Sequence, residues 1–183
     1  MSEHIVLLDD NFKPIGTAEK LASHHANTPL HLAFSCYIFN EKGEFLLTQR
    51  ANTKKVWPGV WTNSVCGHPA PDESFDDAIR RRSEFELGLD EVFNITPILP
   101  RYRYTTPPFN GIIENEFCPV FLARTTRDFT PNPEEVMDFR WLSWTDMLAD
   151  VEAEPDKYSY WFKDQLSQLR DKPELKSYTT QLS

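Results

Sequence analysis

No window of this 183-residue chain approaches the apolar length that a membrane-spanning helix requires, so a bilayer-embedded protein is not expected. The start, Met1-Ser2-Glu3-His4 and then four apolar residues, lacks the basic region and longer apolar core of a secretory signal, which points to the cytoplasm. Cysteine is scarce. Cys36, Cys66 and Cys118 are odd in number and widely spaced, so they form neither a disulfide framework nor a Cys-x-x-Cys metal pair, and they fit a reducing compartment. Positive charge is short as well. Nineteen Lys and Arg against 28 Asp and Glu give a net charge of -9, which argues against nucleic acid or an anionic membrane as partner. An anionic substrate would need a local basic pocket. No Gly-rich nucleotide loop is present, so no flavin is expected. Without repeats, low-complexity blocks or an internal linker, residues 1–183 read as a single domain that buries about two-thirds of its unfolded surface. Monomer and homodimer both remain open, because an exposed apolar helix face and a buried one share one pattern.

What is present is a series of strands with a few helices. Ile5 to Leu8, the Asp9-Asp10-Asn11 cluster and Pro14-Ile15-Gly16-Thr17 suggest a small hairpin. Leu32 to Asn40 is a β-branched and aromatic run, followed by a turn at Glu41 to Glu44 and a return strand from Phe45 to Gln49. Trp57 to Pro69 reads as a turn-rich segment containing Cys66, Gly67 and His68. From Phe75 the apolar residues Phe75, Ala78, Ile79, Phe85 and Leu89 recur at helical spacing, with Arg82 and Glu86 along the middle of that stripe and Gly88 as a stop. Ile112 to Leu122 reads as one strand whose period of two places Glu114, Glu116, Cys118 and Val120 on one face. A strand at Phe139 to Leu142 and helices near Trp144 to Val151 and Tyr160 to Arg170 complete the pattern, with surface loops at 131–133 and 152–156. The expected class is α+β, a mixed sheet flanked by helices in α/β/α layers.

Several groups of side chains invite chemistry. His24, His25, His31 and His68 with Glu114 and Glu116 offer nitrogen and oxygen donors suited to Mn²⁺, Mg²⁺ or Zn²⁺; the competing reading leaves the histidines as strand caps or surface residues, since no compact His-Glu-x-x-His motif is present. Cys66 beside His68 is either a group that moves protons or a small buried hydrophobe. Arg82 and Glu86 are spaced as an i, i+4 pair on a stripe that faces the fold, where an unassisted ion pair is costly and a bound metal-phosphate group explains it better. Lys20, Arg50, Lys54 and Arg82 would form a diphosphate clamp if the hairpin ends converge, whereas Lys55 reads as a solvated charge. Trp57, Trp61, Tyr104 and Trp161 are core aromatics or, facing a reacting carbon, stabilisers of a cation.

Gly67, Glu73, Arg81, Glu86, Gly88 and Leu89 match the framework of the Nudix motif, Gly-x5-Glu-x7-Arg-Glu-U-x-Glu-Glu-x-Gly-U, where U is aliphatic. Arg82 and Phe85 replace two of its carboxylates and Ser83 its aliphatic residue, which counts against ordinary diphosphate hydrolysis. Together with Thr62-Asn63-Ser64-Val65-Cys66-Gly67-His68-Pro69 and Glu114-Asn115-Glu116, the chain resembles the type I isopentenyl-diphosphate delta-isomerases of the bacterial kind, from Lys20 through Trp161. The resemblance implies a Nudix-like fold and a reversible 1,3-allylic proton shift between isopentenyl and dimethylallyl diphosphate. It implies that His24, His31, His68, Glu114 and Glu116 hold one Mn²⁺, Mg²⁺ or Zn²⁺, and that Glu86 holds a Mg²⁺ shared with the diphosphate. Cys66 joins the metal-binding set as well. Lys20, Arg50, Lys54 and Arg82 would bind the diphosphate, Cys66 and Glu116 would be the acid-base pair, Tyr104 would stand beside Glu116, and Trp161 would face the hydrocarbon. The choice of His24 over His25 follows the family spacing before His31.

Overall fold

The computed structural model describes residues 3–182. His4–Leu8 (β1) and Pro14–Glu19 (β2) form the expected first hairpin, its turn held by Asp9 Oδ1, which accepts hydrogen bonds from the Asn11 and Lys13 amides. Lys20–Ser23 (α1) is a single helical turn, and His31–Leu32 (β3), Phe34–Phe39 (β4), Phe45–Arg50 (β5), Trp61–Thr62 (β6) and Val65–Gly67 (β7) follow. Phe75–Leu87 (α2) leads into Phe93–Leu99 (β8), Arg103–Thr105 (β9), Asn115–Phe117 (β10), Val120–Arg124 (β11) and Val136–Leu142 (β12), and Trp144–Ala153 (α3) and Tyr160–Leu169 (α4) come last.

The three long helices share one start signal. Ser74, Ser143 and Ser159 each accept a hydrogen bond from the amide three residues on, satisfying a donor that the first turn leaves free. Helix α2 stops at Gly88 (φ 68°), whose amide returns to Glu84 O while that of Leu89 returns to Ser83 O.

Two sheets result, one ordered β2-β1-β3-β10-β9 and the other β12-β5-β4-β11-β8, with β6 added to β5 and β7 to β4. The runs expected as continuous strands, Leu32 to Asn40 and Ile112 to Leu122, are each broken in two. The first changes sheet at Ala33 and the second at Cys118-Pro119, where proline has no amide to give to a ladder. The two kinked chains run parallel on both sides of the break, since β10 pairs with β3 and β11 with β4. Ala33 N–H to Phe117 O and Ser35 N–H to Pro119 O carry the pairing across the gap. The expected common face of Glu114, Glu116, Cys118 and Val120 is therefore interrupted, and Glu114 lies just before β10.

Strand β4 is buried on both faces, as a central strand with helices on either side must be. Phe34, Cys36 and Ile38 pack with Ala78, Ile79 and Leu87 of α2, while Tyr37 and Phe39 pack with Phe162, Leu166 and Met147 of α4 and α3. This is the expected layered α+β arrangement. Phe85 departs from the expected stripe. It is 53% exposed, and its ring lies 4.9 Å from Arg82 Cζ, shielding that charge in the last turn instead of entering the core. The buried stripe of α2 runs through Arg82, Ser83 and Leu87.

Candidate active site

The passage of two strands from one sheet to the other fixes the site. In the first sheet Glu116 is the register partner of both His31 and Tyr104, and β7, paired to β4, brings His68 to the same place. Glu116 Oε2 accepts a 2.8 Å hydrogen bond from Tyr104 Oη, while Oε1 lies 3.2 Å from His68 Nε2 and 3.5 Å from His31 Nε2. His24, at the end of α1, completes the group with Nε2 3.2 Å from Glu114 Oε2. His25 faces outward and accepts from the Asn27 amide, so His24 is the member of the cluster.

Donor atoms of His24, His31, His68 and Glu116 lie within 4.8 Å of one another, and Glu114 adjoins through His24. The tautomers are set by the backbone. Nδ1 of His24 donates to Lys20 O at 2.6 Å and Nδ1 of His31 to Pro29 O at 2.9 Å, because a carbonyl only accepts, so each ring in its neutral form turns an Nε2 lone pair inward, and in its protonated form an N–H toward Glu114 or Glu116. His68 Nδ1 is buried without a hydrogen-bond partner, and His31 Nε2 and Glu114 Oε2, also buried, have only the Glu116 and His24 contacts at 3.5 and 3.2 Å. Converging imidazole lone pairs beside two carboxylates, with orphaned buried polar atoms among them, fit a divalent cation. Cys66 lies outside this four-residue cluster.

Burial raises the Glu116 carboxyl, but the imidazoles of His31 and His68 outweigh it and hold the group well below the usual carboxylate range. Burial and the Lys20 ammonium push His68 down to about 4, and burial with the nearby Glu116 charge lifts Tyr104 well above the ordinary phenol.

Cys66 is in strand β7, paired with Ser35, and not in the expected turn. Its Sγ donates to Asn63 Oδ1 at 3.2 Å and lies 3.4 Å from Ser35 Oγ. Burial, assisted by the Glu86 and Glu116 charges, pushes the thiol up to about 11, so it carries its proton at neutral pH. Trp161 donates from Nε1 to the same Asn63 oxygen and sits 6.2 Å from the Tyr104 ring, and the Arg50 guanidinium lies 5.7 Å from its ring centroid, a measure of how that face attracts positive charge.

The basic residues converge at the other end. Arg82 donates to Glu86 Oε1 from Nε at 3.0 Å and from Nη2 at 2.5 Å, and its Nη2 reaches Glu135 Oε2 at 3.5 Å. Lys54 binds the same Glu135 oxygen, Arg50 donates to the carbonyls of Trp57 and Val56, and Lys20 pairs with Glu3 at 2.9 Å. Burial raises the Glu86 carboxyl, Arg82 draws it back and Glu135 adds to the rise. One cavity of about 480 Å³ is lined by Lys20, Arg50, Lys54, Arg82, Glu86, Cys66, His24, His68, Glu114, Glu116, Tyr104 and Trp161. His31 stands behind it. Lys55 is exposed, as expected, but on the cavity rim.

Sequence reasoning missed Glu135, which joins Lys54 and Arg82 from positions 81 and 53 residues away, and it gave no role to Asn63. No local spacing marks either residue. The only signal for Asn63 is its place in the turn before Cys66.

The NUDIX domain family matches residues 29–162. A protein of Salmonella paratyphi B named isopentenyl-diphosphate Delta-isomerase is 51% identical over 176 residues, covering 96% of this chain and 97% of that protein. A protein of the same name from Salmonella arizonae is 54% identical, covering 90% of each. Among solved structures, a Deinococcus radiodurans protein superposes with a TM-score of 0.62 at 20% identity, covering 82% of this chain and 90% of its own. The MutT protein of Methanosarcina mazei gives 0.58 at 22%, covering 79% and 97%. These structural likenesses establish the fold.

Proposed function

The chain belongs to the isopentenyl-diphosphate Delta-isomerase family on the NUDIX fold, and from that premise we propose how its residues divide the reaction. The reaction is the reversible 1,3-allylic isomerisation of isopentenyl to dimethylallyl diphosphate in isoprenoid biosynthesis. An unactivated alkene is a weak base, so its protonation yields a tertiary carbocation that must be kept from water. One observation carries the assignment: a single cavity is lined by a protonated thiol, a carboxylate held ionised, an indole ring and five cationic side chains, Lys55 on its rim among them.

Lys20, Arg50, Lys54 and Arg82 bind the diphosphate, whose remote binding energy holds the hydrocarbon against the reacting groups. Cys66 and Glu116 exchange protons with the substrate on its two faces; Cys66 has a proton to give, and Glu116 a lone pair to receive one. Tyr104 holds Glu116 by its hydrogen bond. Trp161 offers its ring to the cation, an interaction of about 2 kcal/mol when desolvated. The His24, His31, His68, Glu114 and Glu116 set would hold one Mn²⁺, Mg²⁺ or Zn²⁺, and Glu86, with Cys66 among the ligands the resemblance implies, would hold a Mg²⁺. Bound there, such ions would supply positive charge to orient Glu116 and to offset the charge of the diphosphate. The whole chain acts as one domain. Three unpaired cysteines suit the cytoplasm, and among the described residues no helix is long and apolar enough to cross a membrane.

Incubation of metal-loaded protein with isopentenyl diphosphate in D₂O tests the reading. Double-bond migration with deuterium uptake and no phosphate release is expected. Phosphate release alone would mean a hydrolase, and neither event would mean a binding module.

A further inference from the structure

Asn63 stands in the turn between β6 and β7 with no exposed surface. Its two amide hydrogens go to carbonyls, Val65 O at 2.9 Å and Cys36 O at 3.3 Å. A carbonyl only accepts, so the amide cannot be reversed without setting its oxygen against two others. Oδ1 is thereby aimed at the cavity wall, where it meets the Cys66 thiol at 3.2 Å, the Trp161 indole N–H at 3.2 Å and the Thr62 hydroxyl at 3.1 Å. The Thr62 hydroxyl has a second partner, Ser159 Oγ at 2.9 Å. Three donors thus converge on this one amide oxygen, and two of them, the thiol and the indole N–H, belong to groups that line the cavity.

We propose that Asn63 is a positioning residue for the isomerisation: its one oxygen sets the direction of the Cys66 thiol and the plane of the Trp161 ring together. The inference rests on the roles proposed above for those two residues. Cys66 arrives on a β-strand and Trp161 on a helix 98 positions after Asn63; the Trp61–Tyr158 bridge and the Ser159 N–H to Trp61 O bond dock the start of that helix beside β6, but no backbone bond links the thiol to the indole. Asn63 supplies that link. The indole is a donor only, and without this acceptor its N–H loses the bond to Asn63, leaving packing against Trp57 and Tyr104 alone to set the ring's tilt. Ser35 holds the thiol from behind, accepting from Gln165 Nε2 at 2.9 Å, but it makes no contact with the indole that would orient the ring.

Two variants test the proposal. Asn63→Leu keeps the volume and removes the acceptor; it should lower kcat about 10- to 100-fold, the order expected when reacting groups are misplaced. KM and the affinity for inorganic pyrophosphate with Mg²⁺ should stay within about threefold, since the diphosphate end is untouched. Asn63→Asp returns an acceptor oxygen while disturbing the bonds to Val65 and Cys36. It should recover most of the lost kcat while melting no higher than the leucine variant. Loss of a merely structural residue would instead make activity follow stability. Parental kcat in Asn63→Leu, or an aspartate variant no faster than the leucine one, overturns the inference. Cys66→Ala is run alongside: if it keeps parental turnover, the role given to Cys66 has failed, and not the placement by Asn63. Should Asn63→Leu fail to fold, Asn63→Asp decides alone. A kcat within about tenfold of the parent with unchanged pyrophosphate binding supports the proposal, and a larger loss overturns it.

Discussion

Gly67 is the surface on which Arg82 lies: a methyl group added at Gly67 would stand 2.8 Å from Arg82 Cγ and 3.2 Å from the Phe34 ring. The glycine of the Nudix framework is there because helix and strand approach this closely. Gly67→Ala should therefore displace Arg82 from Glu86, raising KM about tenfold and lowering stability by about 1–3 kcal/mol, the usual cost of overpacking. Steady-state kinetics and a thermal melt measure both.

Cys66→Ala and Glu116→Gln should each lower turnover by about 10²–10⁴-fold, as loss of an acid-base group does. Far-ultraviolet circular dichroism should be unchanged. Turnover within a few-fold of the parent in either variant would remove that residue from the mechanism.

Glu135 occupies, with its carboxylate, the place where Lys54 and Arg82 would meet a diphosphate. Glu135→Gln keeps the shape and removes a like charge from the ligand's path. Calorimetry without divalent metal should show pyrophosphate binding strengthened roughly tenfold, about 1.4 kcal/mol. Weaker binding would mean that Glu135 holds the two cations in place for the ligand.

Glu73 and Arg81 form a two-pronged pair, Nε to Oε1 and Nη2 to Oε2 both at 2.7 Å, and the Ala70 amide also binds Oε2. The Arg81 hydrogen bonds hold the Glu73 carboxyl below its ordinary value of 4.5. A carboxyl lowered in the folded state contributes stability that is complete above the ordinary value and is lost as pH falls through the folded one. Urea denaturation between about pH 5 and pH 3 should show a shallower acid loss for Glu73→Gln than for the parent. Equal slopes would exclude the pair as an acid-labile tie.

A divalent ion bound to the histidine cluster of the folded state alone stabilises it by about 2.7 kcal/mol at a hundredfold excess over Kd. Chelation should lower the melting temperature, and His31→Ala, which removes an inward nitrogen, should abolish that response. A chelator-insensitive melt in the parent would leave the cluster without its ion.

Much of the architecture was legible because hydrophobic period and cap chemistry are local. Gly88 ends α2 as the sequence suggested, and the Asp9 cluster turns the first hairpin, whereas the Ser74 cap is a finding of the structure. The misreadings came from long-range effects. Periodicity carried Glu114 to Val120 along one strand, but the chain changed sheet at Pro119, and Phe85 found Arg82 in place of the core. His24, His31, His68 and Glu116 were recognisable by residue type and by family spacing. Glu135 and Asn63 were not, since Glu135 meets Arg82 and Lys54 across 53 and 81 residues and Asn63 meets Trp161 across 98.

The bond from Trp161 to Asn63, with Ser159 N–H on Trp61 O beside it, fastens α4 to the wall of the cavity. Every cation of the clamp and every ligand of the histidine cluster precedes residue 117, whereas the aromatic wall arrives with α4. On the roles proposed above, a substitution that loosens α4 should therefore reach the carbocation step before it reaches diphosphate binding, because the indole and the cations are carried by separate parts of the chain.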